Sequence, residues 1–180
     1  MKKNIILGLV FIFNACNAQH HISDPAPTTE CGFSYEDLKE CIHQNAHGLV
    51  KIKIVTEDLG SDEKLIKALT VVSSHGNQTL VVSPDISILA GDIGYVLFTD
   101  INFDSNPDLA VTTSFGTPNL YLDYWVFDPT QQKYIFVGNY PKFDINTKTK
   151  TLGATVKDNA EQYQTIDWKW NGNSLKRMNP

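Results

Sequence analysis

From Gly48 onward, apolar and polar residues alternate along much of the chain. Val50, Ile52 and Ile54 fall on one side of a pleat and Lys51 and Lys53 on the other, which is the two-residue period of a strand with one buried face. Comparable β-rich runs stand at Leu65 to Ser73, Thr79 to Val82, Tyr95 to Thr99, Leu109 to Thr113, Leu120 to Phe127, Tyr134 to Val137, Thr151 to Val156 and Tyr163 to Trp170. In the last of these Ile166, Trp168 and Trp170 alternate inward, and a short run at Ser174 to Met178 follows. Turn signals separate the runs at Gly76-Asn77, Ser83-Pro84-Asp85, Asp128-Pro129 and Asn171-Gly172, residues that accept the backbone angles of tight reversals. Many short strands joined by such turns predict a mostly-β domain, either a single antiparallel sheet or sandwich or a small propeller-like domain. The chain has no internal sequence repeat, which excludes a propeller built from equivalent blades.

Upstream of Gly48 the period changes. Ser34 with Asp37 three residues on forms a capping pattern, and Tyr35, Leu38, Cys41 and Ile42 share one helical face, so one short N-terminal helix is expected over Ser34 to Gln44. Residues 16–30, with His20, His21, Pro25 and Pro27, lack any apolar period and read as a flexible tether. The adjacent His20 and His21 either hold a stray metal ion or belong to a solvated linker. Residues 1–15 run from Lys2 and Lys3 through apolar Ile5 to Phe13 to small Ala15, the order of a secretory signal. That apolar run is far shorter than the roughly 20 residues of a membrane-spanning helix. The domain is therefore expected over residues 31–180.

Two processing routes compete at the end of the signal. In one, Cys16 becomes a lipid-modified first residue, since Cys16-Asn17-Ala18-Gln19 resembles the start of many bacterial lipoproteins, although Phe13 stands where such signals usually have Leu. In the other, cleavage after Ala18 releases a soluble secreted protein. Either route leaves Cys31 and Cys41 as an even pair in an oxidising compartment, where a disulfide is favoured over two buried free thiols. Net charge is −5 for the 180 residues and falls to −7 once Lys2 and Lys3 leave with the signal. This balance argues against a nucleic-acid partner, which demands a basic stripe, and favours a basic protein partner.

The most informative stretch is Asp100-Ile101-Asn102-Phe103-Asp104-Ser105-Asn106-Pro107-Asp108. Asp100, Asn102, Asp104 and Asp108 place side-chain oxygens at loop positions 1, 3, 5 and 9, and Asn106 offers a carbonyl at position 7. Calcium takes six to eight hard oxygens from such a curled loop, and it relieves the repulsion of three nearby carboxylates. An EF-hand is excluded, because Val111 stands where the bidentate Glu belongs and β-forming residues flank both sides. The reading is a strand–loop–strand calcium site with modest affinity, roughly 0.1 to 1 mM. Its alternative is an Asx-rich hairpin loop without metal.

Asp-x-Asn-x-Asp-x-x-x-Asp followed by Leu109-Ala110-Val111 resembles the calcium loop of FG-GAP repeats, with Phe115-Gly116 nearby. Adding Tyr124-Trp125-Val126-Phe127-Asp128, Tyr134-Ile135-Phe136 and Tyr163 to Trp170 with Asn171-Gly172, the chain from about residue 95 to 178 is similar to a family of small bacterial periplasmic lipoproteins. These bind calcium and act as immunity proteins, inhibiting lysozyme-like effectors. Ser105 departs from the family's usual Gly. The resemblance implies inhibition by a loop inserted into the glycosidase cleft, and Ser114 to Tyr121 is the candidate, with Ser114, Gly116 and Tyr121 able to face the enzyme's two catalytic carboxylates. An ordinary hairpin connection with Tyr121 in the core is the competing account.

Tyr121, Tyr124, Trp125 and Phe127 suggest either a sugar platform or core packing, and alternation along a strand favours the core for Trp125 and Phe127. His43, His47 and His75 have no zinc spacing, and nucleophile-elbow, phosphate-loop and dinucleotide motifs are absent. No catalytic residues are assigned and no enzyme is expected. Two functions follow: a calcium-binding inhibitor of a lysozyme-like peptidoglycan hydrolase, or a calcium-stabilised surface module that binds glycan or protein.

Overall fold

The computed structural model describes residues 29–178. The expected signal, the lipidation site Cys16 and the tether up to residue 28 lie outside them, whereas Thr29 and Glu30, expected at the end of the tether, belong to a strand paired with Phe98 and Leu97. Every regular element among the described residues is a β-strand. In chain order they are β1 (Thr29–Ser34), β2 (Cys41–Asn45), β3 (Gly48–Asp58), β4 (Glu63–Ser73), β5 (Gly76–Val81), β6 (Ser87–Leu89), β7 (Ile93–Thr99), β8 (Asp108–Thr112), β9 (Tyr121–Asp128), β10 (Lys133–Pro141), β11 (Asp144–Asn146), β12 (Thr151–Lys157), β13 (Tyr163–Asn171) and β14 (Ser174–Arg177).

The strands form three antiparallel sheets rather than one, and none closes into a barrel. The N-terminal sheet has the order β2-β3-β4-β5, with β6 also paired to β4; the central sheet is β1-β7-β8-β9-β10; the C-terminal sheet is β11-β12-β13-β14. Apart from β1 and β6, each is an up-and-down meander of four consecutive strands, so three similar units arise without sequence repetition.

The central sheet is buried on both faces, and side-chain alternation explains how. Val96, Phe98, Leu109, Val111 and Trp125 pack with Ile52, Leu69 and Val71 of the N-terminal sheet. Their strand neighbours Leu97, Ala110, Leu122 and Tyr124 pack with Leu152, Ala154 and Trp168 of the C-terminal sheet. Successive residues of one strand thus serve two cores, which is why β8 reads Leu-Ala-Val without a polar interruption. Each fully buried side chain of the Ile52 or Leu109 kind contributes about 1.5–3 kcal/mol. Trp125 and Trp168 are buried in these cores, and Phe127 and Trp170 are partly buried and pack against them.

The expected helix over Ser34 to Gln44 is absent. Ser34 does act as a cap, its Oγ accepting the Asp37 N–H at 3.2 Å, but the turn does not propagate. Instead Cys41–Asn45 forms β2 against β3, pairing Cys41 with Ile52 and His43 with Val50. A lone helix of this length is marginal, whereas β2 satisfies its backbone on the sheet and seats Cys41 in the core. Cys31 of β1 and Cys41 of β2 are disulfide-bonded with Cα atoms 5.6 Å apart, joining the central and N-terminal sheets. A second tie is fully buried Asp123 on β9. Its carboxylate accepts the Ser83 N–H at 2.6 Å, the Ser83 hydroxyl at 2.7 Å and an Asn139 amide N–H at 2.9 Å.

Candidate functional site

The Asp100 to Pro107 loop joins adjacent antiparallel strands β7 and β8 at one end of the central sheet. Phe103 and Ser105 adopt φ of 62° and 70°, left-handed conformations that non-glycine residues hold only when neighbouring groups enforce them. Asx side chains do so here. The Asp100 carboxylate accepts N–H bonds from Asp104 at 3.2 Å and Ser105 at 2.8 Å. Asn102 Oδ1 accepts the same Asp104 N–H at 3.1 Å, while its amide donates to Asp104 Oδ2 at 3.0 Å. Asp104 Oδ1 accepts the Asn106 N–H at 2.7 Å. Positions 1, 3 and 5 therefore converge, and Ser105 takes the angle a glycine would adopt without strain.

Asp108 has a different role. It is fully buried, with Oδ2 accepting the N–H groups of Ile101 at 2.8 Å and Asn102 at 3.3 Å, and Oδ1 accepting the Phe127 N–H at 2.8 Å. One carboxylate thus pins both the loop's entry and the neighbouring strand β9. Burial pushes its pKa up to about 8, the bonds from Phe127 and Ile101 oppose that rise, and the nearby Asp104 and Asp100 charges add to it. Asn106 Oδ1 meets His47 Nε2 at 2.7 Å, tying the loop to the β2–β3 hairpin.

Oxygen-only donors match calcium in hardness, and Asp100, Asn102 and Asp104 are already gathered. Asp108 sits behind them with both oxygens bonded to backbone, and Asn106 faces His47. Among the described residues no group of three or more His, Cys, Asp or Glu side chains is assembled to hold a metal ion. The convergent set is thus two carboxylates and one amide.

The candidate partner loop, Ser114 to Tyr121, joins β8 to β9 at the opposite end of the central sheet from the acidic loop. Ser114 Oγ donates to the Asn119 carbonyl at 3.0 Å and accepts the Tyr121 N–H at 2.7 Å, and Thr117 Oγ1 also donates to Asn119 at 2.7 Å. The Asn119 side chain brackets Lys157 of β12, donating to its carbonyl at 2.9 Å and accepting its N–H at 2.7 Å. Ser114 braces the loop from within, Tyr121 is half-buried, and Gly116, Thr117 and Pro118 form an exposed tip. Gly116 has φ of 64°, a left-handed angle that glycine adopts without strain.

Sequence patterning missed several tethers: the Asn119 bracket, the His47–Asn106 bond, and the Trp170 indole N–H that donates to the Ile101 carbonyl at 2.6 Å. Each joins residues distant in the chain, and polar type alone does not reveal such pairings. Fold and loop together define a three-layered antiparallel β protein with an Asx-rich strand–loop–strand site. In comparisons with known proteins, no family, curated protein or solved structure matches the chain.

Proposed function

We propose that the protein is a calcium-binding inhibitor of a lysozyme-like peptidoglycan hydrolase, an immunity protein held in the bacterial periplasm or cell envelope by lipid on Cys16, or secreted as a soluble protein if cleaved after Ala18. The observation that carries this reading is the bracing of the Ser114 to Tyr121 loop. Five side-chain hydrogen bonds fix it, and a loop ordered before contact loses little entropy on entering an enzyme cleft. Gly116 and Thr117 at its exposed tip bear no charge, so they bring no like charge to the carboxylate pair of such an enzyme. Inhibition of this kind requires no catalytic group in the inhibitor.

The stacking of three four-stranded meanders is the arrangement of successive propeller blades, which agrees with an FG-GAP-like loop between two strands of the middle one. Calcium would be held by Asp100, Asn102 and Asp104, with Asp108 and Asn106 fixing the loop behind them. Its bound charge would offset the repulsion of the two outer carboxylates.

The test is a lysis assay with peptidoglycan and a panel of lysozyme-type hydrolases, including any encoded beside this chain. The mature protein is expected to inhibit at least one, and Thr117→Asp, which sets a charge against the target's carboxylates, to lose inhibition while keeping its melting temperature. Failure against the whole panel overturns the reading. The second reading, a calcium-stabilised surface module for glycan or protein, is favoured by a cleft beside the acidic loop.

A further inference from the structure

A cleft of about 430 Å³ opens between the central and C-terminal sheets, beside the acidic loop. Its apolar lining comes from Val126, Ile135, Val137 and Trp170. Its polar lining comes from the carboxamides of Asn102, Gln131 and Asn173, together with Asp128. Ile135 remains 43% exposed despite its size. The indole N–H of Trp170 is spent on Ile101, which fixes the ring in place. Asp128 is occupied by the Thr130 and Gln131 N–H groups and the Gln131 side-chain amide, at 2.8, 3.1 and 2.7 Å.

No Lys, Arg or His lines the cleft, so phosphate and other anionic ligands find no counter-charge. Aromatic and aliphatic surface beside carboxamides suits an uncharged ligand with C–H faces and hydrogen-bonding edges. An extended peptide is disfavoured, because Gln78 already occupies the Tyr134 N–H and carbonyl on β10, and a bulge between Phe136 and Gly138 breaks that strand's register.

We propose that this cleft binds a glycan of the N-acetylhexosamine class, with a sugar face against Trp170, acetamide methyls against Ile135 and Val126, and acetamide N–H and C=O groups on Gln131 and Asn173. It deepens the surface-module reading and is independent of inhibition, since the Ser114 to Tyr121 loop lies at the other end of the central sheet.

Titration calorimetry of the mature protein with chitotetraose, and with cellotetraose as the analogue lacking acetamides, tests the assignment. Chitotetraose is expected to bind at least about ten-fold more tightly than cellotetraose, and Asn173→Ala to weaken it roughly two- to ten-fold by deleting one hydrogen-bonding group. Trp170→Phe, which keeps a ring but loses the bond to Ile101, is expected to weaken binding further. Melting of Asn173→Ala should match the unmodified protein. No heat with chitotetraose, equal affinity for the two sugars, or unchanged affinity in both variants each overturns the proposal. Thr117→Asp should leave chitotetraose binding intact, which keeps failure here distinguishable from failure of the inhibitory reading.

Discussion

The Gln78 side chain of β5 donates to the Tyr134 carbonyl at 2.7 Å and accepts the Tyr134 N–H at 2.9 Å. A single carboxamide from the N-terminal sheet thereby completes a rung of β10, the last strand of the central sheet. Exposed edges template pairing with other chains, and occupying one rung blunts that hazard.

Gln78→Ala removes both bonds at once. The loss should cost about 1–3 kcal/mol, because the freed Tyr134 groups are only partly reached by water. It should also promote self-association through β10. Urea unfolding and light scattering measure the two effects, and a variant equal to the parent in both would show that Gln78 is incidental.

His43 supplies a pH dependence. Its ring stacks on Phe98 with centroids 4.4 Å apart, one ring nitrogen meets Thr29 Oγ1 at 3.1 Å, and Nε2 is buried without a partner. Burial lowers its pKa from 6.5. The unfolded chain therefore takes up a proton first as the solution is acidified, so the contribution of neutral His43 is present above pH 6.5 and is lost as pH falls through the folded value. The melting temperature should drop on going from about pH 7 to pH 5, and His43→Phe should reduce that drop. An identical slope in the variant would assign the acid sensitivity elsewhere.

The Cys31–Cys41 bridge fastens β1 of the central sheet to β2 of the N-terminal sheet across a separation of ten residues. Closing so short a loop should stabilise by about 2–3 kcal/mol. Replacing both cysteines by Ser is expected to lower the denaturant midpoint accordingly, with little change in the unfolding slope. A double variant as stable as the parent would mean the sheets are held fully by packing.

The strands that carry core residues were legible because alternation survives in sequence: Val50, Ile52 and Ile54 mark one face of β3, and Ile166, Trp168 and Trp170 one face of β13. Four strands escaped for physical reasons: β1 begins at Thr29 and Glu30, within the stretch read as tether, and carries too few apolar residues to show a period. β6 and β11 have three residues each, too few to show a period, and β2 carries spacing equally compatible with a helix, a tie broken only by its partner β3. The acidic loop was legible as a cluster of oxygens, but the division of labour inside it was not. Asp100 and Asp108 are chemically identical letters, and only burial separates a carboxylate that faces the loop from one that holds three backbone amides.

That division gives Asp108→Asn a clear expectation. The variant keeps the shape but sets an amide N–H₂ against a backbone N–H, leaving buried donors unmatched at Ile101 or Phe127. Destabilisation of about 2–4 kcal/mol should follow, with or without calcium. An unperturbed midpoint would refute the anchoring role.

Asp104 makes the complementary case. It is exposed, and its carboxylate is engaged only with Asn102 and Asn106 inside the loop. Asp104→Ala should therefore change the metal-free melting temperature little while abolishing the increment that calcium adds. Because ligand stabilisation grows as RT ln(1 + [L]/Kd), a Kd of roughly 0.1–1 mM predicts a melting temperature that still rises between 1 and 10 mM calcium in the parent and stays flat in the variant. Magnesium, which demands a tighter octahedral shell, should substitute poorly. Equal melting of the parent in calcium and in chelator would refute calcium binding at this loop, leaving Asp100, Asn102 and Asp104 as turn-forming residues alone.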